Sequence, residues 1–151
     1  AETLITMANQ STKAIENIQP GDEVLTYDFL TKAWRTTSVD EVITAQHTHL
    51  YELTFETGTI TTTADHPFWV NGKGWASLNP EKSNRDYEQQ EPVQQLSEGD
   101  EILAYGQNVR LIGVKPVHQQ KMTYTLQLKE GDNFVAGDTV VKTEEVKDGV
   151  R

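Results

Sequence analysis

Apolar and polar side chains alternate along most of this chain. Over residues 51–56, Tyr51, Leu53 and Phe55 face one way while Glu52, Thr54 and Glu56 face the other, which is the two-residue period of a half-buried strand. Tyr124, Leu126 and Leu128 repeat the pattern, and residues 36–55, TTSVDEVITAQHTHLYELTF, are rich in the Thr and Val that suit a pleated surface. Turns are marked at Pro20-Gly21-Asp22, Thr57-Gly58, Asn71-Gly72, Glu98-Gly99-Asp100 and Glu130-Gly131-Asp132, since Gly reaches the positive φ that tight turns require. Helical spacing predicts only short turns, near residues 13–18 and 92–96. Residues 78–92, LNPEKSNRDYEQQEP, are polar, unpatterned and bounded by Pro, so they read as an exposed loop. The pattern as a whole predicts an all-β fold.

The alternation also repeats at long range. IENIQPGDEVLTYD, residues 15–28, returns as VQQLSEGDEILAYG, residues 93–106. Gly-Asp-Glu is kept, and Ile15, Ile18 and Val24 are exchanged for Val93, Leu96 and Ile102. One Gly-Asp turn entering a strand is common. Agreement in both spacing and apolar pattern predicts an internal duplication, two β units related by a pseudo-twofold axis.

Composition narrows the function classes. With 151 residues, the chain suits one domain with a sizeable core; residues 1–141 are read as that domain and 142–151, KTEEVKDGVR, as a charged tail or linker. The net charge of −10 argues against nucleic acid or an anionic membrane as partner. There is no Cys, so disulfides, thiolate metal sites and a thiol nucleophile are excluded within these residues, and no redox compartment is indicated. No apolar run approaches the ~20 residues needed to span a bilayer. A monomer is expected, and nothing assigns a localisation.

Residues 61–70, TTTADHPFWV, are the chemically richest stretch. Pro67 biases His66 toward an extended backbone, so Thr63 and His66, three residues apart, can point a hydroxyl and an imidazole into one pocket. Together they can hold a peptide bond by its nitrogen and carbonyl while the imidazole protonates a departing amine. An isolated Thr-x-x-His is more often a Thr/Asp turn with a packing His, so the order of the surrounding motifs carries the reading.

That order resembles the Hint domain of inteins and hedgehog autoprocessing proteins, in its bacterial intein-like form. Glu2-Thr3-Leu4-Ile5 resembles the end of the family's first block, Cys-x-x-x-(Gly/Glu)-Thr-x-Ile. Residues 15–28 resemble the strand and turn that follow, Thr63-Ala64-Asp65-His66 matches the family Thr-x-x-His, and YTLQLKEGDNFVAGDTVV, residues 124–141, resembles the closing strands. The resemblance implies cis autoprocessing of a flanking polypeptide, without cofactor or metal. An N-terminal Cys or Ser attacks the preceding carbonyl, and here His66 acts as general acid and Thr63 as positioning group near the start of the chain. Counted back from Thr3, that nucleophile falls three residues before Ala1, as expected of a chain that has lost its leading residues. At the other end Val140-Val141-Lys142-Thr143 stands where inteins close on Val-His-Asn, and Asp132 where many place another His. Thr has no side-chain amide to cyclise, so the resemblance implies N-terminal cleavage without full splicing.

Two other readings compete. The same fold can serve as an inert structural or interaction module. Alternatively His47, His49 and Glu52, close to a cupin-like His-x-His then Glu, can bind a divalent metal. Trp34, Trp69 and Trp75 are read as packing residues, and Asp22 and Asp100 as closing their turns.

Overall fold

The computed structural model describes residues 3–86, 92–118 and 120–143. The all-β expectation holds. In chain order the strands are β1 (Leu4–Thr6), β2 (Thr12–Ala14), β3 (Glu23–Asp28), β4 (Ala33–His47), β5 (Leu50–Phe55), β6 (Gly58–Thr62), β7 (Phe68–Val70), β8 (Gly74–Ser77), β9 (Gln94–Gln95), β10 (Glu101–Ile102), β11 (Val109–Val117), β12 (Lys121–Leu128), β13 (Asn133–Ala136) and β14 (Thr139–Lys142). A 3-10 turn covers Ile15–Asn17, and a single α-helix among the described residues, α1, covers Pro80–Asp86. None of them is long and apolar enough to cross a membrane.

The duplicated turns share their φ angles and hydrogen bonds. Gly21 and Gly99 adopt φ of +94° and +95°, where a Cβ would strain the backbone. In the first copy Gly21 N–H donates to Val39 O at 2.8 Å; in the second, Gly99 N–H donates to Leu111 O at 2.7 Å. The Asp22 carboxylate accepts from Gln19 N–H and Lys13 Nζ, and the Asp100 carboxylate from Ser97 N–H and Lys73 Nζ. The two Asp close their turns as expected. Each repeat also buries its three apolar positions, Ile15, Ile18 and Val24 in one, Val93, Leu96 and Ile102 in the other. The two β units are real structural copies.

The copies are interlocked. β4 leaves β3 at Val39 and continues against β12 of the other half, with Ile43 opposite Thr125 and His47 opposite Lys121. Reciprocally, β11 leaves β10 and pairs with β5, from Leu111 opposite Phe55 to Val117 opposite Leu50. Each half gives its long strands to the other. The main core forms where they cross, around Val24, Leu53, Ile102, Leu111 and Leu126, all at 0% exposure. At ~25 cal/mol per Å² of apolar surface removed from water, such side chains dominate stability. A second cluster gathers Trp75, Val93 and Val140 with the partly buried Tyr27, Phe29, Trp34 and Trp69. The three Trp are indeed packing residues.

Three local readings are corrected. Residues 78–92 are not simply a loop, because Pro80–Asp86 form α1. Asn79 Oδ1 accepts the Lys82 N–H at 3.1 Å, Pro80 occupies the first helical position, where a missing N–H costs nothing, and Glu81 lies in the first turn. The 87–91 part of that stretch lies outside the described residues. Where a helical turn was expected near residues 92–96, Gln94 and Gln95 instead form β9, parallel to Ala76 and Ser77 of β8. Finally, a domain boundary after Val141 falls inside β14: Lys142 is 2% exposed and Thr143 1%. The remainder of the tail, 144–151, lies outside the described residues.

Candidate active site

The Thr-x-x-His segment connects β6 to β7, where the chain leaves one strand edge and turns inward. Thr63, Asp65 and His66 line a cavity of about 230 Å³, and Thr3 lies on its wall. The expected proximity of Thr63 and His66 to the start of the chain is therefore present in the geometry. On the far side Val141 lies opposite Phe68 and Lys142 N–H donates to Pro67 O at 3.1 Å, so the end of β14 runs beside His66. Thr143 is held there by N–H donation to Asp132 O at 2.8 Å and by its hydroxyl donating to the same oxygen at 3.2 Å.

Burial sets the chemistry of His66. It pushes the imidazole down to about 4, an effect the nearby Lys142 charge reinforces and the Asp65 carboxylate and a hydrogen bond with the Lys142 main chain oppose. His66 is therefore neutral at pH 7. Burial alone would push the Asp65 carboxyl up, but hydrogen bonds from Lys82 and Thr63 outweigh it and hold it below the usual carboxylate range. Asp65 is thus a fixed anion beside the imidazole. The Thr63 hydroxyl spends its one proton on Asp65, which leaves its oxygen able to accept from a peptide N–H.

Asp65 and Lys82 are the residues that sequence reasoning missed. Three contacts from the α1 region clamp the turn: Asn79 N–H to Ala64 O at 2.7 Å, Ser83 Oγ to Asp65 O at 2.5 Å, and Lys82 Nζ to Asp65 Oδ2 at 2.8 Å. Ser83 is fully buried and also shares a hydrogen bond with Ser77 Oγ at 2.7 Å. The helix braces the residues before His66. Ser83→Ala should therefore destabilise the protein by about 1–3 kcal/mol, because it strands buried acceptors. Urea denaturation reads the difference, and an unchanged midpoint would mean that the brace carries no load.

The rival metal set does not assemble. The chain bends at Thr48, so His47 ends β4 while His49 lies past the bend, its Nδ1 within 3.1 Å of Thr48 Oγ1 and its ring 5.9 Å from that of His118. Among the described residues no three His, Cys, Asp or Glu are grouped to hold a metal. Lys142, read as tail, instead sits over the Trp75 ring at 5.7 Å, a cation–π contact that anchors β14 to the aromatic cluster.

Solved structures place this arrangement among known proteins. A bacterial intein-like domain from Clostridium thermocellum is 25% identical with a TM-score of 0.76, over 95% of this chain and 94% of that one. A variant of the Ssp DnaB mini-intein is 18% identical with a TM-score of 0.78, over 97% and 93%. A DnaB intein from Synechocystis sp. is 20% identical with a TM-score of 0.73, over 95% of each. No curated protein sequence matches the chain. The family model described as the Ataxin-1 and HBP1 module (AXH) matches residues 1–107, which include the clamped turn and His66. The chain therefore belongs to the AXH family by sequence, and its fold is the Hint fold of the intein-like and mini-intein domains it is similar to.

Proposed function

We propose that this domain cleaves the peptide bond upstream of itself, once and in cis, by an N-to-S acyl shift. The observation that carries the reading is the shared cavity: Thr63, Asp65, His66 and Thr3 all line it, which brings the first described residue of the chain to the same cavity as the imidazole. The thiol sulfur attacks the carbonyl carbon of the residue before it and the C–N bond breaks. The acyl group becomes a thioester, and the nitrogen leaves as an amine that needs a proton. A planar amide resists this step, and holding it bent makes its nitrogen more basic. Because His66 is neutral at pH 7, it takes the thiol proton first and then delivers it to the nitrogen, as base and acid in turn. Thr63 accepts from the scissile N–H while Asp65 stabilises the transient imidazolium.

Likeness to intein-like domains supports this reading, and Thr143 in place of a cyclising Asn supports cleavage without splicing. The test extends the chain upstream by a reporter, Cys and two residues. Dithiothreitol or hydroxylamine should release the reporter as its thioester or hydroxamate. An intact fusion under both reagents would leave the second reading, an inert Hint-fold module, which the Lys142-Thr143 ending favours.

A further inference from the structure

Two strand edges meet at the cavity. β6 ends one sheet, pairing only with β5, and β12 ends the other, pairing only with β4, among the described residues. The cavity is lined by the consecutive residues 60–63 from the first edge and 121–125 from the second. Consecutive residues, rather than alternate ones, line a cavity when it runs along a strand's edge and not over its face. Unpaired edges present rows of main-chain N–H and C=O groups, and sheets that leave them open are templates for an added strand.

A second observation points the same way. Thr125 lines this cavity, is 7% exposed, and its Oγ1 is buried with no hydrogen-bond partner among the described protein atoms. Buried hydroxyls are nearly always satisfied, and leaving one unpaired costs about 1–3 kcal/mol. An incoming main chain would satisfy it. Charge indicates what kind of segment enters. The charged side chains of the lining are Lys82 and Lys121 against one carboxylate, Asp65, whose oxygens already serve Lys82 and Thr63, so the excess charge is positive and rests on Lys121. On a chain of net charge −10, this is a local reversal of sign.

We propose that the slot between β6 and β12 takes an extended, acidic stretch of the polypeptide that runs into the site from upstream of residue 1, held by main-chain hydrogen bonds to both edges. This rests on the proposed cleavage for the identity of the occupant, and Thr3 on the cavity wall supplies the direction of entry. The edges position the backbone of the scissile segment beside Thr63 and His66. Lys121, opposite His47 at the start of β12, reads acidic side chains several residues before the cleaved bond.

The test removes chemistry from the question. The 151-residue chain is extended upstream by three Val-Glu pairs, then Ala in the nucleophile's place and two residues, and amide hydrogen exchange is followed by NMR. Amides within residues 60–63 and 121–125 should gain at least tenfold protection over the unextended chain, with those of β13 unchanged as the internal reference. Lys121→Glu in the extended chain should lose most of that gain. Equal exchange with and without the extension overturns the slot, and a gain indifferent to Lys121→Glu overturns the acidic preference. Protection that appears in the unextended chain with rising concentration, together with a dimer in sedimentation, assigns the edges to a second copy and also overturns the proposal. No outcome depends on cleavage, so a dead nucleophile and an empty slot are told apart.

Discussion

His66→Ala, made in the chain extended by a reporter, Cys and two residues, should slow thiol-dependent release by about 10²–10⁴-fold, the range of a positioned proton-transfer group. The expectation rests on geometry as much as on residue type. His66 lies inside the cavity with Thr3 on its wall, and its turn is clamped through Ala64 and Asp65. Without the imidazole the departing nitrogen has no proton donor, and water is a poor substitute in a buried site. Thr63→Val keeps the shape but removes the hydroxyl, which loses the acceptor for the scissile N–H and one of the donors to Asp65; about 10- to 100-fold is expected from misplacement alone. Single-turnover release followed by gel or mass spectrometry measures both, with circular dichroism to show that the fold persists. Cleavage by His66→Ala at the parent rate would remove His66 from the mechanism and with it the acid–base assignment.

Much of this site was written locally. Thr63, His66 and Pro67 lie in one short stretch, and an extended backbone before Pro is a local property, so the pocket was legible from their spacing. The strands were legible for the same reason, because alternation at Leu53 and Phe55 shows which face is buried whatever strand lies beside it. What alternation cannot show is the partner. The exchange that pairs β4 with β12 and β11 with β5 leaves the two-residue period of every strand unchanged, so the repeat predicted two units but not their interlocking.

Other misses have different causes. α1 is seven residues long, under two full turns, too short for a 3.6-residue period to emerge, although the Asn79-Pro80-Glu81 start was a readable cap. Lys142 looked like tail because a Lys is seldom buried; its position became favourable only when Trp75, distant in sequence, placed a ring beneath the ammonium. Asp65 was given no role of its own, since its partner Lys82 lies in the stretch read as loop. His47 and His49 show the converse error. Their spacing suits one face of one strand, but β4 ends at His47 and the bend at Thr48 leaves His49 outside it.

Acid should destabilise the protein through His66 by about 3 kcal/mol between pH 7.5 and pH 4. The folded imidazole titrates at about 4 against 6.5 for the ordinary group. As pH falls through 6.5 the unfolded chain binds a proton that the folded chain refuses, so stability drops across the window and levels off once the folded imidazole is protonated below about 4. Asp65 acts in the same direction but lower, since its depressed carboxyl withholds its effect until pH falls below the ordinary carboxylate value. Urea midpoints measured at half-unit steps, compared with His66→Gln, isolate the contribution: the variant is less stable at neutral pH but should lack the slope between 6.5 and 4. Identical slopes in both proteins would mean that the buried imidazole does not resist protonation. The result reaches back to the chemistry, because a His66 that is neutral at pH 7 must take its proton from the attacking thiol before giving it to the nitrogen. A His66 already charged at pH 7 would protonate the nitrogen directly and leave the thiol without a base.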